Sequence, residues 1–328
     1  MPELRRDPVG GRWVVIAPER ADRPNALLRP GPELQQDQAS CPFCPGNEAM
    51  TPPEILRRPG ERGWSMRVVP NRFPALRVET QLQRKGSGLY DSMAGVGAHE
   101  VIIETGEHAR TLSQLAPAQL AELLRVFQER IIDLSRDLRL RSILVFKNSG
   151  TPAGATLSHA HSQLIALPLV PPELESEMEG ARAHFERKER CIFCDVLAQE
   201  LADQARLVFE NKGAVAFCPW AARSPFETWI VPRAHDSSFE SGSAQELRAV
   251  ADALSVLLRK MDRALENPAF NLYLHTMPLR EARNDWYHWH LELKPLLTLQ
   301  AGFEWASGCF INPTPPEEAA AFLRQTEV

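Results

Sequence analysis

In the stretch LSHAHSQLIALP, residues 157–168, His159, His161 and Gln163 stand at every second position. Side chains at i, i+2 and i+4 of a strand share one face, so two imidazoles and an amide can converge on a single ligand. The plainer alternative is one hydrogen-bonded core histidine beside one exposed histidine. The residues just upstream favour a ligand. NSGTPAGATLS, residues 148–158, is a run of small and hydroxyl side chains whose backbone N–H groups can come close to a phosphate.

Four of the six cysteines form two pairs, CPFC at Cys41 and Cys44 and CIFC at Cys191 and Cys194. In a reducing compartment such pairs act as metal ligands or redox sites, and their spacing favours zinc. A thioredoxin-like reading needs a pair that opens a helix inside a strand–helix–strand unit, and neither pair has that setting clearly. Cys218 and Cys309 have no neighbouring cysteine and read as small core or site-lining residues.

The elements that must carry these groups occur twice. After the first cysteine pair come RVVPNRFPAL (67–76), HEVIIET (99–105), a long amphipathic segment, SILVFKNSG (142–150) and the His-x-His. After the second pair come AVAFCPW (214–220), ETWIVPRAH (227–235), another long amphipathic segment, FNLYLHT (270–276) and YHWHLELKP (287–295). Helical spacing of Leu120, Leu123, Leu124, Phe127 and Ile131, and of Leu247, Val250, Leu254, Leu257, Leu258 and Met261, predicts two helices that each cover a sheet. The strands are short and punctuated by Gly, Pro or Asn. The pattern predicts an α+β fold of two tandem units, 1–170 and 171–328. Between them PPELESEMEGARAHFERKER (171–190) reads as a charged helical connector with His184 solvated, and residues 24–40 read as a surface loop.

With 328 residues, 44% of them apolar, the chain can bury a large core. A net charge of −5 argues against general nucleic-acid or membrane-surface binding and confines any phosphate site to a local pocket. No signal-like or membrane-spanning run is present, so a soluble cytoplasmic protein is expected.

The combination of NSGTPAGATLSHAHSQ, CPFC, VVPNRFPAL and GEHARTL resembles the galactose-1-phosphate uridylyltransferase family, a branch of the histidine-triad superfamily. The resemblance spans nearly the whole chain. It implies tandem histidine-triad-like domains forming a continuous half-barrel, mainly antiparallel sheet, and a homodimer. The implied reaction is UDP-glucose plus galactose 1-phosphate giving UDP-galactose plus glucose 1-phosphate, by a ping-pong route through a uridylyl-histidine. An ADP-glucose phosphorylase or a dinucleoside-polyphosphate phosphorylase of the same superfamily is the alternative, and a non-enzymatic zinc-binding module the outsider.

By resemblance, His161 is the nucleophile and Gln163 the amide that binds the phosphoryl oxygens. A neutral imidazole can attack phosphorus without first losing a proton. Asn148, Gly154, Thr156 and Ser158 would line the phosphates, Asn71 and Phe73 the uridine, and Arg20 and Arg23 would bring positive charge to the nucleotide. Cys41, Cys44, His108 and His159 would form one structural zinc site, and Cys191, Cys194, His235 and His288 a second, giving two zinc ions per chain. His290 and Glu292 stand where the first half has His161 and Gln163, which makes His290 vestigial or a substrate-side contact. His99 and His275 read as packed residues. The C-terminal GFEWASGCFINPTPPEEAAAFLR (302–324) resembles the family segment that closes over the sugar phosphate, so Phe303, Glu304, Gly308 and Asn312 are expected at the hexose. A terminal strand and a Pro-initiated helix are its plain structural reading.

Overall fold

Alternating and helical patterns resolve into one sheet. The computed structural model describes residues 1–22, 37–61 and 63–328. Two strands, β1 (Glu3–Arg6) and β2 (Trp13–Ile16), open the chain. Then come β3 (Leu56–Arg58), β4 (Met66–Pro70), a hairpin of β5 (Arg84–Ser87) and β6 (Tyr90–Met93), and β7 (Ala98–Ile103). Helix α1 (Pro117–Leu134) leads to β8 (Ser142–Ser149) and β9 (His161–Leu167). Helices α2 (Pro172–Lys188) and α3 (Ile192–Asp203) connect to β10 (Leu207–Glu210), β11 (Ala214–Phe217) and β12 (Thr228–Pro232). Helix α4 (Ala244–Leu265), β13 (Phe270–His275) and β14 (His290–Pro295) complete the second round. The chain closes with α5 (Gly302–Ser307), β15 (Phe310–Asn312) and α6 (Pro316–Gln325).

Ten strands make one open sheet in the order β10-β11-β12-β14-β13-β8-β9-β7-β4-β3, every pairing antiparallel. The order is a mirror about the β8–β13 pair, where Asn148 faces Asn271 and Val145 faces Leu274. The fold is thus α+β, and the repeat seen in the sequence becomes two five-strand halves of one sheet. The two long helices share a single face of it and pack on each other. Leu120, Leu123, Leu124 and Phe127 from α1 and Leu247, Val250, Leu254 and Leu257 from α4 enter one core with Leu164, Leu272 and Leu291 from the strands. The expected one-helix-per-sheet arrangement is replaced by one common layer.

The other face is covered only in part. Over the second half lie α2 and α3, with Leu174, Met178, Ala181, Ile192, Phe193 and Leu197 packed on Val215, Phe217, Trp229 and Val231. The charged connector is therefore a packed helix, and His184 bonds to the Asp195 carboxylate at 2.9 Å instead of standing free in solvent. Cys191 is the N-cap of α3 with Cys194 in its first turn, so this pair does open a helix, although α2 and not a strand precedes it. Over the first half the cysteine loop packs Phe43 and Trp64 on Val69, Val101 and Ile103, with Phe43 also against the His161 ring.

The opening strands depart from the expected division at residue 170, because β2 pairs with β1 on one side and runs parallel to β15 on the other. The C-terminal reading holds: α6 starts with Pro316 at its first position and Glu317 and Glu318 in its first turn. Position 23 and most of the expected loop at 24–40 lie outside the described residues.

Arg130 of α1 grips Glu100 of β7 with two hydrogen bonds of 2.8 Å, both side chains buried. Removing one member of a buried pair leaves the other charge uncompensated, at about 3–5 kcal/mol. Arg130→Ala should lose that stability in urea unfolding.

Candidate functional site

Strand β9 begins at His161, where the pleat sends His161 and Gln163 to one face and Ser162 and Leu164 into the sheet's helix-covered side. The His161 Nδ1–H donates to the His159 carbonyl at 2.8 Å. Its one ring proton is therefore on Nδ1, and Nε2 keeps its lone pair. Burial, and then the nearby Lys147 ammonium, hold the His161 pKa below its ordinary value. Both effects favour the neutral, nucleophilic ring. Behind the strand, Lys147 Nζ donates to Glu104 at 2.9 Å and to the His161 carbonyl at 3.0 Å, and Ser162 Oγ donates to Glu104 at 2.6 Å. The His161 peptide is thereby anchored from the opposite face.

The loop upstream turns on two glycines in the left-handed region, Gly150 at φ +83° and Gly154 at +92°. At Gly150 a Cβ would lie 2.9 Å from the Ala269 side chain, so glycine is needed there for close approach. Phe146 faces Gln163 across β8 and β9, which places Asn148 beside His161. Asn148 Oδ1 accepts from Asn271 Nδ2 at 2.8 Å, fixing its amide. Thr156 and Ser158 are exposed along the loop. Gln163 Oε1 lies 2.8 Å from His99 Nε2. Asn71 accepts the Phe73 N–H at 2.9 Å and so presents the Phe73 ring, 82% exposed, on the same side of the sheet. Gln163 and Asn71 thus meet at His99 on the face of the sheet that carries His161, where the Phe43 ring stands 5.3 Å from the His161 ring.

Beside His161 stands the first cysteine–histidine set. The ligand atoms of Cys41, Cys44, His108 and His159 all lie within 4.8 Å of one another. His159 Nδ1 is 3.6 Å from Cys41 Sγ and 3.5 Å from Cys44 Sγ, and His108 Nδ1 is 3.1 Å from Cys44 Sγ. Tetrahedral zinc with the usual Zn–S and Zn–N lengths sets ligand atoms about 3.3–3.8 Å apart. Burial and the Cys41 sulfur push the Cys44 thiol up to about 12. Two adjacent buried thiols thus resist ionising together, and a dication removes that resistance. His159 Nε2–H donates to the Thr105 carbonyl at 2.7 Å, turning Nδ1 toward the sulfurs. Burial holds the His159 pKa near about 4, so the ring is a neutral ligand.

The second set repeats this, with Cys191, Cys194, His235 and His288 donors within 4.8 Å. A hydrogen bond from Cys191, against burial and with help from His235 and His288, pulls Cys194 down to about 3. Both four-residue sets fit zinc.

The second His-x-His has the geometry of the first, with His290 buried completely where His161 keeps 7% exposure. His290 Nδ1–H donates to the His288 carbonyl at 3.1 Å, as His161 does to His159. Its fully buried Nε2 has no hydrogen-bond partner and looks toward Glu292 at 3.7 Å. Glu292 pairs with Arg223, while Glu177 from α2 accepts from His275 at 3.0 Å and from the Tyr287 hydroxyl at 3.1 Å. Glu177, His275, His290 and Glu292 thus form a third close group that sequence reasoning missed. Glu177 is one of many acids on a charged helix, and nothing in its spacing marks it. His275 belongs to this network and is not merely packed. Burial opposes a charge on His275, but Glu177 and Glu292 outweigh it and lift its pKa to about 9.

The C-terminal residues gather elsewhere. Glu304 lines a cavity of about 340 Å³ with Trp305, Phe310, Arg223, Lys294 and Asn271. Pro152 and Asn271 join that cavity to the loop before His159. Phe303 is half exposed on α5, and Gly308 ends that helix at φ +68°. Asn312 is fully buried, donating to the Ala222 carbonyl at 3.0 Å and accepting from Thr314 N–H at 2.9 Å. Its amide serves the chain itself, which corrects its expected place at the hexose. Arg20 is exposed in a short 3₁₀ turn, Pro18–Asp22, that follows β2.

The duplicated sheet, with a His-x-His strand behind a loop that turns on two glycines, is shared with a known enzyme family. Residues 1–171 match the model of the galactose-1-phosphate uridyl transferase N-terminal domain. The chain is 36% identical to ADP-glucose phosphorylase of Arabidopsis thaliana, over all of this chain and 93% of that protein. It is 30% identical to galactose-1-phosphate uridylyltransferase of Thermotoga maritima, over all of this chain and 99% of that one. The crystal structure of the Arabidopsis thaliana ADP-glucose phosphorylase with bound ADP-glucose superposes with a TM-score of 0.86 at 34% identity, both chains fully covered. A uridylyltransferase structure superposes at 0.79 with 28% identity, over 99% and 98% of the two chains. The chain belongs to the galactose-1-phosphate uridylyltransferase family. Among the described residues no helix is long and apolar enough to cross a membrane.

Two outcomes test the site. Elemental analysis of protein purified without added metal should give about two zinc ions per chain. His159→Ala should lose one of them together with thermal stability, while His161→Ala keeps both. In the second half, the raised pKa of His275 makes its contribution to stability complete below the ordinary value of 6.5 and lost as pH rises through about 9. Urea midpoints should fall across that window, and His275→Gln should flatten the fall.

Proposed function

We propose that the protein carries the nucleoside monophosphate of a nucleoside-diphosphate glucose on His161 Nε2 and passes it to a phosphate-bearing acceptor. The observation that carries this reading is the free Nε2 lone pair of a neutral His161 beside the Gly-rich loop. In the first half-reaction Nε2 attacks the α-phosphorus, an N–P bond forms, the P–O bond to the β-phosphate breaks, and glucose 1-phosphate leaves. Backbone N–H groups of the loop with Thr156 and Ser158 bind the phosphate oxygens, and Gln163 donates to the phosphoryl oxygens of the intermediate. Phe73 takes the base. The cavity at Glu304 and Lys294 takes the hexose. Zinc at the two cysteine–histidine sets would hold their loops against the sheet, and the Cys₂His₂ donors leave no open position for chemistry.

ADP-glucose is the proposed donor and inorganic phosphate the proposed acceptor, giving ADP and glucose 1-phosphate. The full-length similarity to a plant ADP-glucose phosphorylase, 36% against 30% for a bacterial uridylyltransferase, supports adenine. UDP-glucose with galactose 1-phosphate is the second reading, supported by the family model over residues 1–171. A homodimer belongs to both readings.

Intact-mass measurement decides between them. Incubation with ADP-glucose should add one AMP per chain, and UDP-glucose little or no UMP; the reverse pattern makes the protein a uridylyltransferase. His161→Ala should take up neither. An amide cannot act as a general acid or base near neutral pH, so Gln163 cannot help water attack. The adduct should outlast many turnovers and discharge once phosphate is added. Steady release of nucleotide without acceptor would mark a hydrolase.

A further inference from the structure

We propose that His99 is a positioning residue that sets which end of the Gln163 amide meets the phosphoryl group. The backbone N–H of Ala75 donates to His99 Nδ1 at 3.2 Å. A ring nitrogen that accepts a hydrogen bond carries no proton, so the ring proton of His99 is on Nε2. That N–H points at Gln163 Oε1, 2.8 Å away. The amide oxygen is thereby held at His99, and the NH₂ end is left for the anion on His161. With the proton there, Asn71 Nδ2, 3.1 Å from the same nitrogen, is a neighbour and not a hydrogen-bond partner.

The two ends of a glutamine amide have nearly the same shape and opposite polarity. Turned over, Gln163 would aim a carbonyl oxygen at phosphoryl oxygens and repel them. Strand geometry alone does not choose between the two orientations, because Gln163 faces Val101 across β7 and β9 and Phe146 across β8 and β9, neither of which has a polar side chain. His99 supplies the choice. It also ties that choice to the nucleotide side of the site, since the His99 carbonyl accepts from Asn71 N–H at 2.8 Å and Ala75 closes the same loop beyond Phe73. A base seated on Phe73 and a phosphate held by Gln163 are thus referenced to one imidazole.

This inference rests on Gln163 being a phosphoryl contact, and the test separates the two claims. The full-length protein is mixed in a single turnover with whichever nucleoside-diphosphate glucose labels it, and adduct formation is followed by quenched intact mass. His99→Phe should slow labelling about 10–100-fold with zinc content and melting temperature kept, the usual scale for losing a group that orients a reacting residue. Gln163→Ala should be slow, and the double variant His99→Phe/Gln163→Ala should match it within about twofold, because a residue acting through Gln163 has no effect once Gln163 is gone. His99→Gln, which still offers an N–H donor, should label faster than His99→Glu, whose carboxylate accepts only and would turn the amide over. Additive losses in the double variant, or equal rates for His99→Gln and His99→Glu, overturn the proposal while leaving Gln163 in its role. Wild-type labelling by Gln163→Ala overturns both.

Discussion

The carbonyl oxygen of His159 governs the arrangement of the site. One residue gives its ring to the cysteine pair and its peptide oxygen to the ring of His161. The two histidines must then alternate around a single residue, because only a spacing of two lets the first lie against the cysteines while its carbonyl reaches the second. The tautomer of His161, the start of β9 and the packing of the cysteine loop all follow from that peptide. The Lys147–Glu104–Ser162 group fixes the same stretch from the far side. Clamped from both faces, the strand presents Nε2 in one direction.

The second half shows what the same backbone does when its side chains change. His288 and His290 keep the spacing and the hydrogen bond, but Glu292 replaces the amide and α2 lowers Glu177 over the face. A buried carboxylate there repels a phosphate, and Arg223 with the charged His275 ring balances the acids instead. The duplicated centre has become a closed ionic knot that ties a connector helix to the sheet. The two copies thus share a backbone arrangement and differ in the side chains around it.

Much of this was written in the chain. The helices α1 and α4, the strands bearing His161 and His290, and both cysteine–histidine sets were legible because their signals are local or repeat in matching order. Helical spacing could not say that the two helices form one layer, since that depends on β8 meeting β13, and the single continuous sheet was expected from the resemblance alone. Nor could it place Glu177, whose burial comes from tertiary packing of a helix that reads as charged. His99 shows the same limit: a lone histidine in an apolar strand looks like packing, and its contact with Gln163 comes only from the register of β7 on β9. Asn312 erred the other way, an exposed-looking amide drawn inside by the parallel pairing of β15 with β2.

The β8–β13 seam also limits how the chain can be taken apart. Each half, alone, would end in a strand of six or eight residues with its backbone donors and acceptors bare and a flat apolar side beneath. Such an edge is a template for pairing with any similar strand. A cut between α2 and α3 would therefore yield two fragments that hold together through that edge, whereas either fragment made without the other would seek a substitute for the missing strand. The covalent duplication works as a built-in chaperone: each half is synthesised with the one strand that can safely cover it.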